Sequence, residues 1–162
     1  MHTTLALVGV TMTKNEVFFN LVSNGLARET FTSIDFEFVI DISSIREIVV
    51  ANPKRWPVTR VLLNPQVVDF VSSKREIDAD RMKTLTRAQL EDFGFVATFP
   101  DGKDGVCPID GHHRMMRRYE IGLPFMDVYL IPWMDLPQAD PNRPTVSWGN
   151  KQVNRETGDW DD

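Results

Sequence analysis

Residues 107–132, "CPIDGHHRMMRRYEIGLPFMDVYLIP", constrain the fold more than any other part of the chain. A short apolar run ends at Asp110–Gly111, and a polar, arginine-bearing stretch follows as far as Gly122. A second β-rich run, Phe125–Pro132, closes the segment. That order predicts strand, tight turn, helix and strand, with Gly111 at the bend and Gly122 ending the helix. Just upstream, "FVATFPDGKDGVCPID" predicts a hairpin joined around "DGKDG". Strands and a helix alternating at this spacing call for an α/β (α+β) domain: a mixed, partly barrel-like sheet of short strands flanked by helices.

The rest of the chain is read around that segment. "TTLALVGVTM" is apolar enough for a strand, and "TKNEVFFNLVSNG" predicts a short helix with a Thr13/Glu16 capping box, ended by Gly25. "TSIDFEFVIDI" alternates cleanly, with Ile34, Phe36, Phe38 and Ile40 on one side and Ser33, Asp35, Glu37 and Asp41 among the other. It predicts a half-buried strand. "SSIREIVVANP" predicts a helix capped by Ser44 and Glu47 and stopped before Pro53. "VTRVLLNPQVVDFV" supplies strand material around a break at Asn64–Pro65. One or two helices are expected in "EIDADRMKTLTRAQLEDFG", with Met82, Leu85, Leu90 and Phe93 inward and Gly94 as the stop. A single domain is expected over 1–134, followed by a proline-rich polar tail over 135–162 with Trp148 and Trp160 as anchors.

Totals exclude several function classes. The chain has 162 residues, enough for one sizeable core. Its 18 Lys and Arg against 23 Asp and Glu give a net charge of -5, so any phosphate affinity must come from a local patch. The one cysteine, Cys107, rules out an internal disulfide and a multi-cysteine zinc site. Apolar runs are too short for a membrane span and the N-terminus lacks the basic start of a signal peptide, so a cytoplasmic protein without a membrane partner is expected.

The chemistry concentrates at "DGHHR". A strand-to-helix turn aims backbone N–H groups and the positive end of the helix dipole at one point, and Gly111 lets a ligand approach the backbone. Arg114 can grip a phosphate with two parallel hydrogen bonds, and His112 and His113 can donate to it. Arg117 and Arg118, one turn on, can widen the positive surface. Asp110 can cap the helix, orient a histidine or hold Mg²⁺. The same residues also admit a plain reading: a turn, a solvated arginine face, and histidines that belong to the core. A Cys107–histidine nucleophile and a histidine metal site are the lesser alternatives.

Residues from about Ile77 to Pro132, with "IDGHHRMMRRYEIGLPFMDVYLIP" as the motif, resemble the ParB/sulfiredoxin superfamily; the stretch 70–134 is the part best matched. Where sulfiredoxins carry Gly-Cys-His-Arg, this chain has His112 in place of the redox cysteine. Of the Gly-Glu-Arg-Arg box of the ParB partition proteins it keeps Gly111 and Arg114, and no helix-turn-helix segment follows the motif. The Asp-Gly-His-x-Arg form is similar to the free serine kinases of this superfamily, whose upstream glutamate the segment "KREIDADRMKTL" would supply as Glu76.

The resemblance implies binding of ATP or another nucleotide with Mg²⁺, and kinase-like phosphoryl transfer to a small hydroxyl-bearing acceptor, or nucleotide hydrolysis. Gly111, His112, His113 and Arg114 would cradle phosphates, with Arg117 and Arg118 as further phosphate ligands. Glu76, Asp110 and His113 would be the catalytic set, Asp110 also the metal ligand, and His113 rather than His112 the ligand-facing imidazole. Two alternatives remain: a ParB-like DNA-binding protein or nuclease using the same turn on backbone phosphates, and a non-catalytic interaction protein of phage-like character.

Overall fold

The computed structural model describes residues 4–7, 10–32, 38–74, 77–99 and 106–147. Among them, β1 (Thr4–Leu7) pairs antiparallel with β2 (Val10–Thr13), and α1 (Lys14–Ser23) follows directly. The apolar run read as one strand is therefore two short paired ones. A three-stranded sheet has the order β4 (Ile40–Asp41), β3 (Arg28–Phe31), β9 (Thr145–Ser147), with β9 parallel to β3. The larger, four-stranded sheet runs β5 (Val58–Leu62), β8 (Phe125–Pro132), β6 (Gly94–Thr98), β7 (Val106–Asp110). Its neighbours are antiparallel except β6 and β8, which are parallel. The helices are α2 (Ile42–Ala51), α3 (Pro65–Lys74), α4 (Ala79–Lys83), α5 (Arg87–Leu90) and α6 (His112–Glu120). The fold is α+β, as the alternation of elements predicts.

Strand periodicity explains how the larger sheet becomes the centre of the protein. Phe95 and Ala97 of β6, Cys107 and Ile109 of β7, and Tyr129 and Ile131 of β8 share one cluster with Phe31, Ile40, Ile42 and Ile45. The alternate residues Val96, Met126 and Val128 join Leu63, Val71 and Met115 in a second cluster. Successive side chains of a strand point to opposite faces, so one sheet serves two cores. The small sheet and α2 cover one face; α3 and α6 cover the other. Ile40, Ile45 and Ile131 are wholly inaccessible to solvent, each contributing about 1.5–3 kcal/mol of transfer free energy. Burial on both faces is also why β6 and β7 read as nearly continuous apolar runs.

The sequence reading needs several corrections. Of the alternating stretch 32–42, Ile40–Asp41 is strand, while residues 33–37 lie outside the described residues. Helix α2 is capped by Asp41, whose carboxylate accepts the Ser44 N–H at 2.9 Å, rather than by Ser44 and Glu47. Both displaced residues instead accept hydrogen bonds from the Arg28 guanidinium. Past Asn64–Pro65 the chain is helix, not strand: Asn64 accepts the Val67 N–H at 2.9 Å and Pro65 occupies the first helical position, where its missing N–H costs nothing. Gly94 opens β6 instead of ending a helix.

The expected tail begins later than Asp135. Leu136 is buried, the Pro137 carbonyl accepts the Asp41 N–H at 2.9 Å, and β9 extends the small sheet. Trp148 and Trp160 lie outside the described residues. No helix among the described residues is long and apolar enough to cross a membrane.

The cap assignment yields a direct test. Asp41→Ala removes both the cap and a partner of Arg28 3.2 Å away, and should cost about 2 kcal/mol in urea unfolding. Ser44→Ala should cost clearly less. The reverse order would restore Ser44 as the cap.

Candidate functional site

β7 delivers Asp110 and Gly111 to the start of α6, and the local geometry requires the glycine. Gly111 sits at φ 98°, and a Cβ there would lie 3.0 Å from the Gly94 Cα and from the Met126 Cε. A side chain at this position would be strained by the backbone angle and blocked by backbone. As the N-cap of α6, Gly111 contributes no side-chain hydrogen bond, so the positive end of the helix carries no carboxylate or hydroxyl cap.

Asp110 does not cap the helix, because its carboxylate is committed elsewhere. Its Oδ2 accepts hydrogen bonds from Arg46 Nη2 at 2.6 Å and from Arg114 Nη2 at 3.3 Å. Arg46 donates its other Nη to Glu29 Oε1 at 2.7 Å, and Arg114 donates to the Phe93 carbonyl at 2.9 Å. The result is a chain of charges, Glu29–Arg46–Asp110–Arg114, crossing β3, α2, β7 and α6. Burial alone would raise the Asp110 pKa, but the guanidiniums of Arg46 and Arg114 outweigh it and hold the carboxyl well below the usual range. Burial pushes Glu29 the other way, against the pull of Arg46. Asp110, together with Glu29, holds the Arg46 proton more tightly than usual.

The two histidines separate in role. Their rings lie 4.3 Å apart, and both side chains are buried. His113 Nε2 accepts the Asp78 N–H at 2.9 Å, and Asp78 in turn caps α4 by accepting the N–H groups of Asp80 and Arg81. An accepting Nε2 places the proton of the neutral ring on Nδ1. Burial and the nearby Arg81 bring the His113 pKa down to about 4, so it is neutral at pH 7. His113 thus anchors α4 to α6, the opposite of the expected assignment. His112 is the imidazole that reaches the main cavity.

That cavity has a volume of about 370 Å³ and lies between α3 and the larger sheet. Val67, Val71, Val96, Val128 and Leu130 form apolar walls, and Asp110, Gly111 and His112 form the polar end. A polar void of about 20 Å³ adjoins Asp110, Gly111 and all of His112, His113 and Arg114.

The remaining predicted residues are placed as follows. Arg114 turns inward to Asp110 and Phe93, so its first role is structural. Arg117 pairs with Glu120, and Arg118 donates to the carbonyls of Phe125 and Leu90; neither lines these cavities. Glu76 lies outside the described residues. Cys107 packs in the first core cluster. The Asp110 carboxylate faces cations, which disfavours Mg²⁺ beside it, and among the described residues no group of three or more His, Cys, Asp or Glu can hold a metal ion.

Sequence reasoning missed Glu29, Arg46 and Arg81. Arg46 carried a signal: it follows Ile45 and stands four residues after Ile42, on the buried stripe of α2. Glu29 and Arg81 carried none, since only the tertiary fold brings them to the motif.

Compared with protein-family models, curated proteins and solved structures, the chain matches none of them significantly.

The depressed pKa of His113 fixes a pH dependence of stability. On acidification the unfolded chain takes up this proton near pH 6.5, whereas the folded protein resists to about pH 4. Its contribution is full above pH 6.5 and is lost as pH falls towards 4, by about 2–3 kcal/mol. His113→Gln, which keeps an acceptor but does not titrate, should flatten that part of the curve in denaturant titrations at pH 7.5 and 5. An unchanged slope would contradict the anchoring role.

Proposed function

We propose that the protein binds a nucleotide, with the base in the apolar cavity and the phosphates at the uncapped start of α6. The observation that carries this reading is the junction itself. A 370 Å³ cavity with aliphatic walls ends at Gly111 and His112, where backbone donors and the helix dipole favour negative charge. A ligand with an apolar ring system and an anionic group fits both halves. The resemblance of the Asp-Gly-His-His-Arg motif to kinase-like members of the ParB/sulfiredoxin superfamily supports the same reading.

In this proposal the nucleotide serves phosphoryl transfer to a small hydroxyl-bearing acceptor, or is hydrolysed, in the cytoplasm. Backbone N–H groups of α6 and His112 bind the phosphates, Gly111 makes the turn that presents them, and Arg114 contributes its charge from behind. Mg²⁺ arrives on the nucleotide's own phosphate oxygens rather than on Asp110. Glu76 is the proposed base for the acceptor hydroxyl. The DNA-binding alternative is weaker because Arg114, Arg117 and Arg118 are all engaged within the protein, which leaves α6 without an outward arginine row.

Thermal-shift titration with ATP, ADP, CTP and GTP, with and without Mg²⁺, tests the proposal. At 100 times its dissociation constant a nucleotide adds about 2.7 kcal/mol and raises Tm by several degrees. Val67→Trp, which fills the cavity from α3, should abolish that shift while the protein stays folded. No response to any nucleotide would end the proposal; binding without turnover would reduce it to a non-catalytic nucleotide binder.

A further inference from the structure

The apolar cavity has a second polar end. Asp110, Gly111 and His112 come from β7 and the helix that follows it, whereas Thr59 and Gln66 come from β5 and the helix that follows that strand. β5 and β7 are the two edges of the larger sheet. Thr59 pairs with Val128, Val128 with Gly94, and the next residue, Phe95, with Asp110. Three strand spacings therefore lie between Thr59 and Asp110, about 14 Å along the sheet. Val96 of β6 and Val128 and Leu130 of β8 form an apolar floor between them.

That layout sorts the parts of a ligand. An anionic group is drawn to the start of α6, and an extended nucleotide then carries its base across the valines towards β5. Ring faces suit aliphatic walls, but the polar edge of a base must find partners where it is buried. Away from Asp110 and His112, Thr59 and Gln66 are the described lining residues whose side chains form strong hydrogen bonds. Thr59 is half-buried and Gln66 exposed, so neither side chain is packed into a core.

The chemistry of the amide narrows the choice of base. A carboxamide holds an acceptor and a donor side by side in one plane. It matches adenine, whose amino group and neighbouring ring nitrogen form a donor–acceptor pair. Guanine shows two adjacent acceptors there, which call for an arginine or lysine. Among the described residues no arginine or lysine lines the cavity.

We propose, on the nucleotide reading of this cavity, that Gln66 and Thr59 determine which base it accepts. Gln66 reads the amino group and neighbouring ring nitrogen of adenine, and the Thr59 hydroxyl makes a second contact to the same edge.

The experiment is calorimetry on the full chain with ATP and with GTP, which differ in the base alone. ATP should bind at least about tenfold more tightly than GTP. Gln66→Leu should weaken ATP by about tenfold and bring the two nucleotides within about threefold of each other, with GTP little changed. Because Gln66 is exposed, that variant should fold as the parent does. Thr59→Val, which exchanges the hydroxyl for a methyl group, should weaken ATP by about threefold. Equal affinity of the parent for ATP and GTP would overturn the assignment, as would a preference that survives Gln66→Leu; either result leaves the nucleotide site itself standing. If neither ATP nor GTP binds, the nucleotide reading falls and the assignment falls with it.

Discussion

The buried contact between Asp110 and the guanidiniums of Arg46 and Arg114 is the interaction on which the rest of the site depends. It joins the last residue of β7, the inner face of α2 and the first turn of α6 across the boundary between the two cores. Taking these charges out of water costs several kcal/mol each, so the cluster is a poor source of net stability compared with an apolar core. What it provides is position. Removing Arg46 leaves the carboxylates of Glu29 and Asp110 short of their shared cation, and that penalty favours one arrangement of Glu29, Arg46, Asp110 and Arg114. The cluster also explains why Arg114, the motif's most conspicuous cation, does not simply face a ligand.

From that anchor the site divides into two environments. Towards α3, the aliphatic side chains of that helix and of the larger sheet leave an apolar cavity beside the second core cluster. Towards α1 and α4, the arginines leave a polar cleft. The start of α6 stands between them, with His112 at the apolar cavity and His113 tied to the Asp78 backbone.

The segment from Phe95 to Pro132 was legible because its signals are local. Short apolar, β-rich runs mark the strands, and the glycines at 111 and 122 bound the helix. Legibility failed where a cap or a partner came from elsewhere. Asp41, read as the outward face of a strand, caps α2 through Oδ1 while its Oδ2 accepts from Arg28, a partner distant in sequence. The run after Asn64 has strand-like valines, yet the Asn-Pro pair starts a helix whose inner face packs on the sheet. At the site, the turn, the glycine and the paired histidines stood out in sequence. Their roles did not, since the distant partners of Asp110, His113 and Arg114 come from residues 46 to 93 and meet only in the folded chain.

The central claim is that Asp110 is held by Arg46 within a buried charge cluster, and a double-mutant cycle measures this most directly. Urea unfolding of Arg46→Met, Asp110→Asn and the double variant at pH 7 gives the coupling energy. The account predicts each single change to cost about 3–5 kcal/mol, and the pair to cost less than their sum by at least about 1.5 kcal/mol. Additive losses, with a coupling near zero, would show that the two residues do not share a buried contact and would contradict the account.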